Sequence, residues 1–284
     1  MEASGSSVFA PGLLEGRVCV ISGAGTGLGR ATALELASLG AIVVGCGRRE
    51  EPLTEMVAEV AESGGSAEAR SLDIRDEAGV EAFFEDLVER HGHVDALVNN
   101  AGGQFLSPAE AITAKGFRTV IELNVMGTWL MTHAAATKAF IPQRRGAILN
   151  VTLSPHNGMP GMVHSGAARA AVENMTRTLA IEWARFGIRT AAVAAGQFET
   201  EVFKTKYPKE VTEAAAQTIP AGRLGWPEEM AWLLAYLCSP AAEFISGTTL
   251  TIDGARDDHF GPWPPTMFGS RDGEPVAEER RPKR

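Results

Sequence analysis

The stretch SGAGTGLGRA, Ser22 to Ala31, decides the fold of this 284-residue chain. It follows the strand-like run RVCVISG and opens the helical run GRATALELASLG. Gly23 permits a tight turn, Gly27 lets the backbone approach a pyrophosphate, and Gly29 lets the helix pack on the strand. The helix N-terminus offers unpaired N–H groups and the positive end of the helix dipole to phosphates. The stretch therefore predicts a strand, a turn and a helix that together bind a dinucleotide.

The rest of the chain repeats this alternation of strand and helix. Runs rich in β-branched residues indicate strands at 17–23, 41–47, 67–74, 94–103, 146–153, 188–196 and 247–254. Runs with apolar residues at helical spacing indicate helices at 29–40, 51–65, 80–92, 117–143, 168–187 and 227–239. Such alternation is typical of a parallel sheet covered on both faces. The sequence predicts an α/β fold with a single Rossmann-like, doubly wound parallel sheet and helices on both faces.

No linker-like change in composition interrupts this pattern before residue 255. We therefore expect one nucleotide-binding domain over residues 16–255. A short N-terminal extension, 1–15, precedes it, and a C-terminal extension with a polar tail, 256–284, follows it.

Composition excludes several classes of partner. A net charge of -9 argues against nucleic acid, whose binding needs clustered Lys and Arg. No apolar run reaches the roughly 18 residues of a membrane span, and the start lacks the cationic region of a signal peptide. The 3 cysteines lack metal-ligand spacing, and the chain does not end in a Ser-Lys-Leu peroxisomal signal. The sequence predicts a soluble cytoplasmic protein with no metal site.

The end of the second predicted strand, GCGRRE, indicates which dinucleotide binds. NAD enzymes typically place an Asp or Glu there to accept the ribose 2'-hydroxyl, and here no acid occurs before Glu50. Gly47 leaves room, and Arg48 can pair with a 2'-phosphate through its planar guanidinium. The alternative is that Arg48 and Arg49 are solvated charges at a helix entry. The pattern favours NADPH as cofactor.

Two further segments belong to the predicted cofactor site. Asp73, at the end of the run SLD, is placed to accept the adenine amino group. The run NNAG, Asn99 to Gly102, ends the fourth strand, where small residues let a cofactor lie close.

These motifs resemble the short-chain dehydrogenase/reductase superfamily over nearly the whole chain, from Gly16 to Gly254. The likeness rests on Ser22 to Gly29, on NNAG, on the asparagine of LNVMG (Asn124), and on AAGQFET (Ala194 to Thr200) in place of the usual Pro-Gly motif. It implies these cofactor contacts: Gly23, Thr26, Gly27, Leu28, Arg48, Asp73, Ile74, Asn100, Ala101, Gly102, Arg169, Gly196, Phe198 and Thr200.

Within the superfamily, the runs NNAGGQFLSPAE and VHSGAARAAV are similar to the trans-2-enoyl-CoA and 2,4-dienoyl-CoA reductase members. That likeness implies an NADPH-dependent enzyme that reduces a carbon–carbon double bond conjugated to a thioester, such as a 2-enoyl-CoA. It also implies a homodimer or homotetramer. The apolar helix through Met175 to Trp183 fits an interface between copies, although this stripe could instead face only the sheet.

The chain departs from the superfamily at its catalytic pair. A tyrosine and, four residues later, a lysine are usual; here Ser165 and Arg169 occupy these places. Interconversion of alcohol and ketone needs a proton at the carbonyl oxygen, which the tyrosine exchanges. Reduction of an enoyl thioester instead needs stabilisation of an enolate oxygen, for which hydroxyl and amide donors suffice. Arg169 retains a cation for the cofactor ribose, so the paired change is compatible with enolate chemistry.

The resemblance implies further site residues. Asn124 matches the asparagine that bends its helix and holds a water. The serine usually found after the fifth strand corresponds to Thr152 or Ser154 on either side of Leu153, and we favour Thr152 from its distance to Ser165. The predicted catalytic residues are Asn124, Thr152, Ser165 and Arg169, and the predicted substrate contacts are Gln104, Phe105 and Tyr207.

Two alternatives remain open at this point. The chain could be an alcohol or ketone oxidoreductase that recruits another acid, such as Tyr207, His156 or His164. It could also be a nucleotide-binding pseudoenzyme that serves assembly or sensing. The substrate-side run GGQF and the complete segment Glu199 to Thr218 favour an enzyme, because a scaffold need not keep them.

Overall fold

A computed structural model describes residues 6–154, 156–206, 212 and 215–258. Its centre is one parallel sheet with the strand order β3-β2-β1-β4-β5-β6-β7. The order reverses between β1 and β4, as in a doubly wound sheet. The predicted architecture is confirmed. The strands are β1 (Val18–Ser22), β2 (Ile42–Gly47), β3 (Ser66–Ser71), β4 (Ala96–Asn99), β5 (Gly146–Leu153), β6 (Ile188–Ala195) and β7 (Thr248–Ile252).

Helices connect successive strands and cover both faces. A continuous helical run over 114–143 consists of α4 to α6 and two π-helical segments, Glu122–Met126 and Ala135–Phe140. The helices are α1 (Gly27–Ser38), α2 (Glu50–Glu62), α3 (Glu77–His91), α4 (Ala114–Ile121), α5 (Gly127–Ala134), α6 (Ile141–Gln143), α7 (Val163–Trp183), α8 (Glu201–Lys206) and α9 (Pro227–Cys238). Among the residues described, none of these helices has the length and apolar character needed to cross a bilayer.

The hydrophobic core consists of two layers, one on each face of the sheet. On one face, Leu36 of α1 and Leu234 of α9 are fully buried against the strands. On the other, Phe84 of α3 and Met131 of α5 are fully buried. Because helices cover both faces, the central strands β1 and β4 are buried at every position, and each ends in a polar residue, Ser22 and Asn99.

Helix α7 begins earlier than the sequence indicated. The apolar spacing predicted a start near Ala168, whereas the helix begins at Val163. Gly161 has a left-handed backbone (φ 82°) that turns the chain into the helix, and the Gly166 N–H donates to the Met162 carbonyl at 2.9 Å. Ser165 and Arg169 therefore both lie in the first two turns of α7.

Candidate active site

A cavity of about 950 Å³ opens at the carboxyl ends of the strands, on both sides of the switch point between β1 and β4. This is where open α/β sheets bind their ligands. The cavity wall includes all but one of the cofactor contacts that the sequence predicted: Gly23, Thr26, Gly27, Leu28, Arg48, Asp73, Ile74, Asn100, Ala101, Gly102, Gly196, Phe198 and Thr200. The exception is Arg169.

The glycine-rich turn is shaped to admit phosphate. Gly23 (φ 71°) and Gly27 (φ 56°) have left-handed backbones. A Cβ on Gly29 would lie 2.2 Å from the Gly23 carbonyl oxygen, so only glycine lets α1 approach β1 this closely. The first turn of α1 has no side-chain cap and no acidic residue. Its N–H groups and dipole are therefore available to an anion, and the turn fits a dinucleotide pyrophosphate.

The adenosine end carries exposed cations. Arg48 lies at the cavity wall, and none of the described residues forms an ion pair or hydrogen bond with its side chain. Asp73 accepts two hydrogen bonds from Arg75, from Nε at 3.0 Å and from Nη2 at 2.6 Å. These bonds, assisted by charge, lower the pKa of Asp73 to about 2. Asp73 is therefore ionised at neutral pH.

Arg169 lies behind the wall rather than on it. Its Nη1 donates to the Val151 carbonyl at 2.9 Å, and its buried Nε has no hydrogen-bond partner among the described residues. Its Nη2 packs against Gly102, where an added Cβ would lie only 2.3 Å from that nitrogen. Burial lowers the pKa of Arg169 to about 10, so the side chain is still charged at neutral pH. The guanidinium thus places a positive charge directly beneath the β4 loop.

Asn124 fixes the same loop from the other side. It lies in the π-helical turn Glu122–Met126 and is fully buried. Its Oδ1 accepts from the Gly103 N–H at 3.1 Å, and its Nδ2 donates to the Gly103 carbonyl at 2.8 Å and the Val120 carbonyl at 2.9 Å. Because Gly103 engages both halves of the amide, Asn124 holds the backbone on which Gly102 and Gln104 lie.

Ser165 reaches the cavity only through Gln104. The Ser165 side chain is fully buried, and its hydroxyl donates to Gln104 Oε1 at 3.0 Å. Gln104 lies at the cavity wall, whereas Phe105 packs edge-on against the buried His164 ring at 4.3 Å. Neither Phe105 nor His164 is part of the wall. Tyr207, the third predicted substrate contact, lies outside the described residues.

The two candidate hydroxyls at the end of β5 lie in different surroundings. Thr152 is paired with Ala194 one position inside the sheet, and its hydroxyl donates to Glu173 of α7 at 2.9 Å. Ser154 lies beyond the last paired position, at the cavity wall, and its hydroxyl donates to Asp253. Of these two residues, Ser154 lines the cavity and Thr152 does not, and the catalytic role of Thr152 stays a prediction.

A network of charged groups ties the loop after β5 to the segment after β7. His156 contacts Asp257 through Nδ1 and Glu173 through Nε2, the latter at 2.9 Å. Asn157 donates to the Asp257 carbonyl at 2.7 Å. Burial alone would lower the pKa of His156, but the hydrogen bonds to both carboxylates outweigh it and raise that pKa. His156 therefore acts as a clamp between these segments.

Sequence reasoning missed three acids at this end of the site. Glu173 follows Arg169 by four residues, a spacing that places both on one face of a helix and could have drawn attention to it. Asp253 follows β7 directly, where carboxyl-end residues gather. Asp257 is joined to His156 across 101 residues, and no local pattern indicates such a contact.

Comparisons with known proteins agree with this geometry. A family model described as "Enoyl-(Acyl carrier protein) reductase" matches residues 23–255. A probable 2,4-dienoyl-CoA reductase of Bacillus subtilis is 38% identical over 248 residues, which cover 86% of this chain and 97% of that protein. The solved structure of a citronellol catabolism dehydrogenase of Pseudomonas aeruginosa PAO1 has 40% identity and a TM-score of 0.79, covering 88% of this chain and 98% of that one.

A second solved structure, a short chain dehydrogenase of Bacillus anthracis, has 36% sequence identity and a TM-score of 0.81. The match covers 88% of this chain and 100% of that one. The family model, these relatives and the doubly wound sheet with its glycine-rich turn all agree. The chain belongs to the short-chain dehydrogenase/reductase family and is an oxidoreductase of that family.

Proposed function

We propose that this protein is an NADPH-dependent reductase of the carbon–carbon double bond of a 2-enoyl thioester, such as an enoyl-CoA. The observation that carries the proposal is the replacement of the usual tyrosine by Ser165, whose hydroxyl is fully buried and donates to Gln104. No phenol is available at this position to give a proton to a carbonyl oxygen. The name of the Bacillus subtilis relative, a probable 2,4-dienoyl-CoA reductase, supports the same reaction class.

The cofactor contacts divide between backbone and side chains. The turn from Gly23 to Leu28 would hold the pyrophosphate, and Arg48 would pair with the 2'-phosphate. Arg169 would hold the nicotinamide ribose from behind the Gly102 loop. When bound, NADPH supplies the hydride that adds to C3 of the substrate.

The remaining requirements are an oxyanion site and a proton. As C3 gains hydride, negative charge builds on the thioester oxygen, and the enolate then takes a proton at C2. Gln104, at the wall, is the side chain proposed to contact the thioester oxygen, because its amide nitrogen can donate while its Oε1 accepts from Ser165. The Ser154–Asp253 pair can hold a transferable proton at the wall, because a hydroxyl backed by a carboxyl group passes protons in either direction.

A substrate screen tests the proposal. NADPH oxidation is measured with 2-enoyl-CoA and 2,4-dienoyl-CoA thioesters, with ketones and with aldehydes at matched concentrations. We expect turnover of enoyl or dienoyl thioesters alone. Turnover of ketones would favour an alcohol–ketone oxidoreductase. NADPH binding without turnover of any substrate would favour a nucleotide-binding pseudoenzyme. Either result would overturn the proposal.

The proposal includes assembly and location. Large apolar side chains are exposed on the described surface at Met126, Ile181 and Phe244. Burying them between copies would remove apolar area from water, which favours a homodimer or homotetramer. Light scattering of the full chain at micromolar concentration checks this, and a monomer would contradict it.

A cytoplasmic location is part of the same proposal and is checked by cell fractionation.

A further inference from the structure

Arg256 is a cation at the cavity wall that follows β7 and is half-buried. Its Nε is fully enclosed, and no described residue forms an ion pair or hydrogen bond with its guanidinium. A guanidinium in a partly dehydrated site is costly unless an acceptor satisfies it.

Two carboxylates close to Arg256 in sequence have other partners. Asp253 accepts the Ser154 hydroxyl, the Arg256 backbone N–H at 3.2 Å and the Asp257 N–H at 2.8 Å. Asp257 contacts His156 and accepts from Asn157. Neither Asp253 nor Asp257 forms an ion pair with the Arg256 guanidinium.

On the proposed substrate side, the cavity wall combines apolar side chains with the polar side chains of Gln104 and Ser154. Arg256 is separated in the fold from the phosphate-binding turn at Gly23 to Leu28, which lies at the end of β1. Low polarity around a cation strengthens its attraction for an anion. The apolar residues of the cavity wall include Leu106, Leu153, Met159, Pro160, Met162 and Phe203.

We propose that Arg256 binds an anionic oxygen group of the substrate. This inference rests on the proposed function and narrows its substrate class. Two sources share the chemistry: a carboxylate at the far end of the acyl chain, so that the substrate is a monothioester of an unsaturated dicarboxylic acid, or a phosphate of the coenzyme A carrier. Arg256 is then a specificity-determining residue that orients the thioester over the nicotinamide face.

Four substrates of equal acyl length separate the two sources. A neutral 2-enoyl group and its ω-carboxyl counterpart are each attached to coenzyme A and to N-acetylcysteamine, which carries no phosphate. If the acyl carboxylate is recognised, Arg256→Met lowers kcat/KM about 10- to 100-fold for both ω-carboxyl substrates and spares both neutral ones. If the carrier phosphate is recognised, the same loss affects both coenzyme A substrates and spares both N-acetylcysteamine ones.

The controls separate charge recognition from damage to the fold. Arg185→Met removes an exposed arginine at the opposite end of the sheet and should leave all four rates unchanged. Arg256→Lys retains the charge and should recover part of the lost selectivity. Equal loss with all four substrates, no loss with any, or a weakened NADPH Kd in Arg256→Met would overturn the inference.

A binding measurement keeps this test separate from that of the proposed function. The four saturated thioesters are titrated by calorimetry into wild-type and Arg256→Met protein, each loaded with NADP+. Selective weakening of the anion-carrying thioesters supports the inference, and identical affinities overturn it. If wild-type protein reduces none of the enoyl substrates, the proposed function fails, while the calorimetric result still decides whether Arg256 binds the anion.

Discussion

The two ends of the cavity are built on different principles. At the dinucleotide end, the backbone defines the site: the turn from Gly23 to Gly29, the start of α1 and the ends of β2 and β4 form the wall directly. At the catalytic end, side chains from distant segments hold one another, and Asn124, Ser165 and Arg169 lie behind the wall. A backbone-built site is specified by glycine positions, whereas a site built from side chains depends on each long-range contact.

The largest effect should come from adding one carbon to the backbone-built end. In Gly29→Ala, the new Cβ would lie 2.2 Å from the Gly23 oxygen and 2.5 Å from Asn100 Nδ2, so the turn must open. We expect NADPH binding to weaken roughly 100-fold, since such overpacking costs up to about 3 kcal/mol. Fluorescence titration measures the Kd.

Gly166→Ala is the matched control. No atom lies within 4 Å of the added Cβ, and Gly166 is in the exposed part of α7. This variant should keep the NADPH affinity and gain about 0.5–1 kcal/mol of stability from helix propensity. Equal NADPH affinities in Gly29→Ala and Gly166→Ala would show that the turn tolerates a side chain at Gly29. The dinucleotide end would then not be defined by its glycine backbone.

At the catalytic end, the Ser165–Gln104 contact should behave as one unit. Ser165→Ala frees Gln104, and we expect kcat to fall about 100-fold with an unchanged NADPH Kd, as for loss of one oxyanion donor. Gln104→Ala should cause a similar loss, and the double variant should be little worse than either single one. Steady-state kinetics measures kcat for the wild type, the two single variants and the double variant. If the losses in kcat add up in the double variant, the two side chains act separately.

The preference for NADPH over NADH should depend on one side chain of the otherwise backbone-built end. Arg48→Ala removes the cation proposed to pair with the 2'-phosphate, so the ratio of the two Kd values should shift about 10- to 100-fold, the range for a charge-assisted hydrogen bond. The NADH Kd should stay constant. Arg49→Ala, at the next position, should cause a smaller shift. A wild-type protein that binds both cofactors equally would contradict the assignment.

The smallest effect should be a pH dependence of the clamp at the catalytic end. The raised pKa of His156 means that its protonated form stabilises the folded state. This stabilisation is complete below the ordinary histidine pKa of about 6.5 and is lost as the pH rises through the raised value. We expect the Tm to fall by about 2 °C more in wild-type protein than in His156→Gln over this interval. Scanning calorimetry from pH 6 to pH 9 measures the difference, and parallel curves would contradict the clamp.

The same contrast explains what could be predicted from the sequence. Strand positions and the turn at Gly23 follow from local periodicity and glycine spacing, so the sheet and its order could be derived. The choice between Thr152 and Ser154 depended on where β5 ends, which the neighbouring strand β6 fixes through Leu153 and Ala195. Local patterns do not contain such information, and the same holds for the contact between His156 and Asp257.

The clamp between His156 and Asp257 also has a consequence for the order in which the protein becomes active during synthesis. The turn at Gly23, Arg48 and the NNAG run have all been synthesised once the ribosome has passed Gly102. The wall residues Gly196 to Thr200 come later, and the clamp must wait for Asp257, 101 residues after its partner. Domains begin to fold while they are being synthesised, and contacts distant in sequence form late. The clamp should thus be among the last contacts of the site to form in a nascent chain.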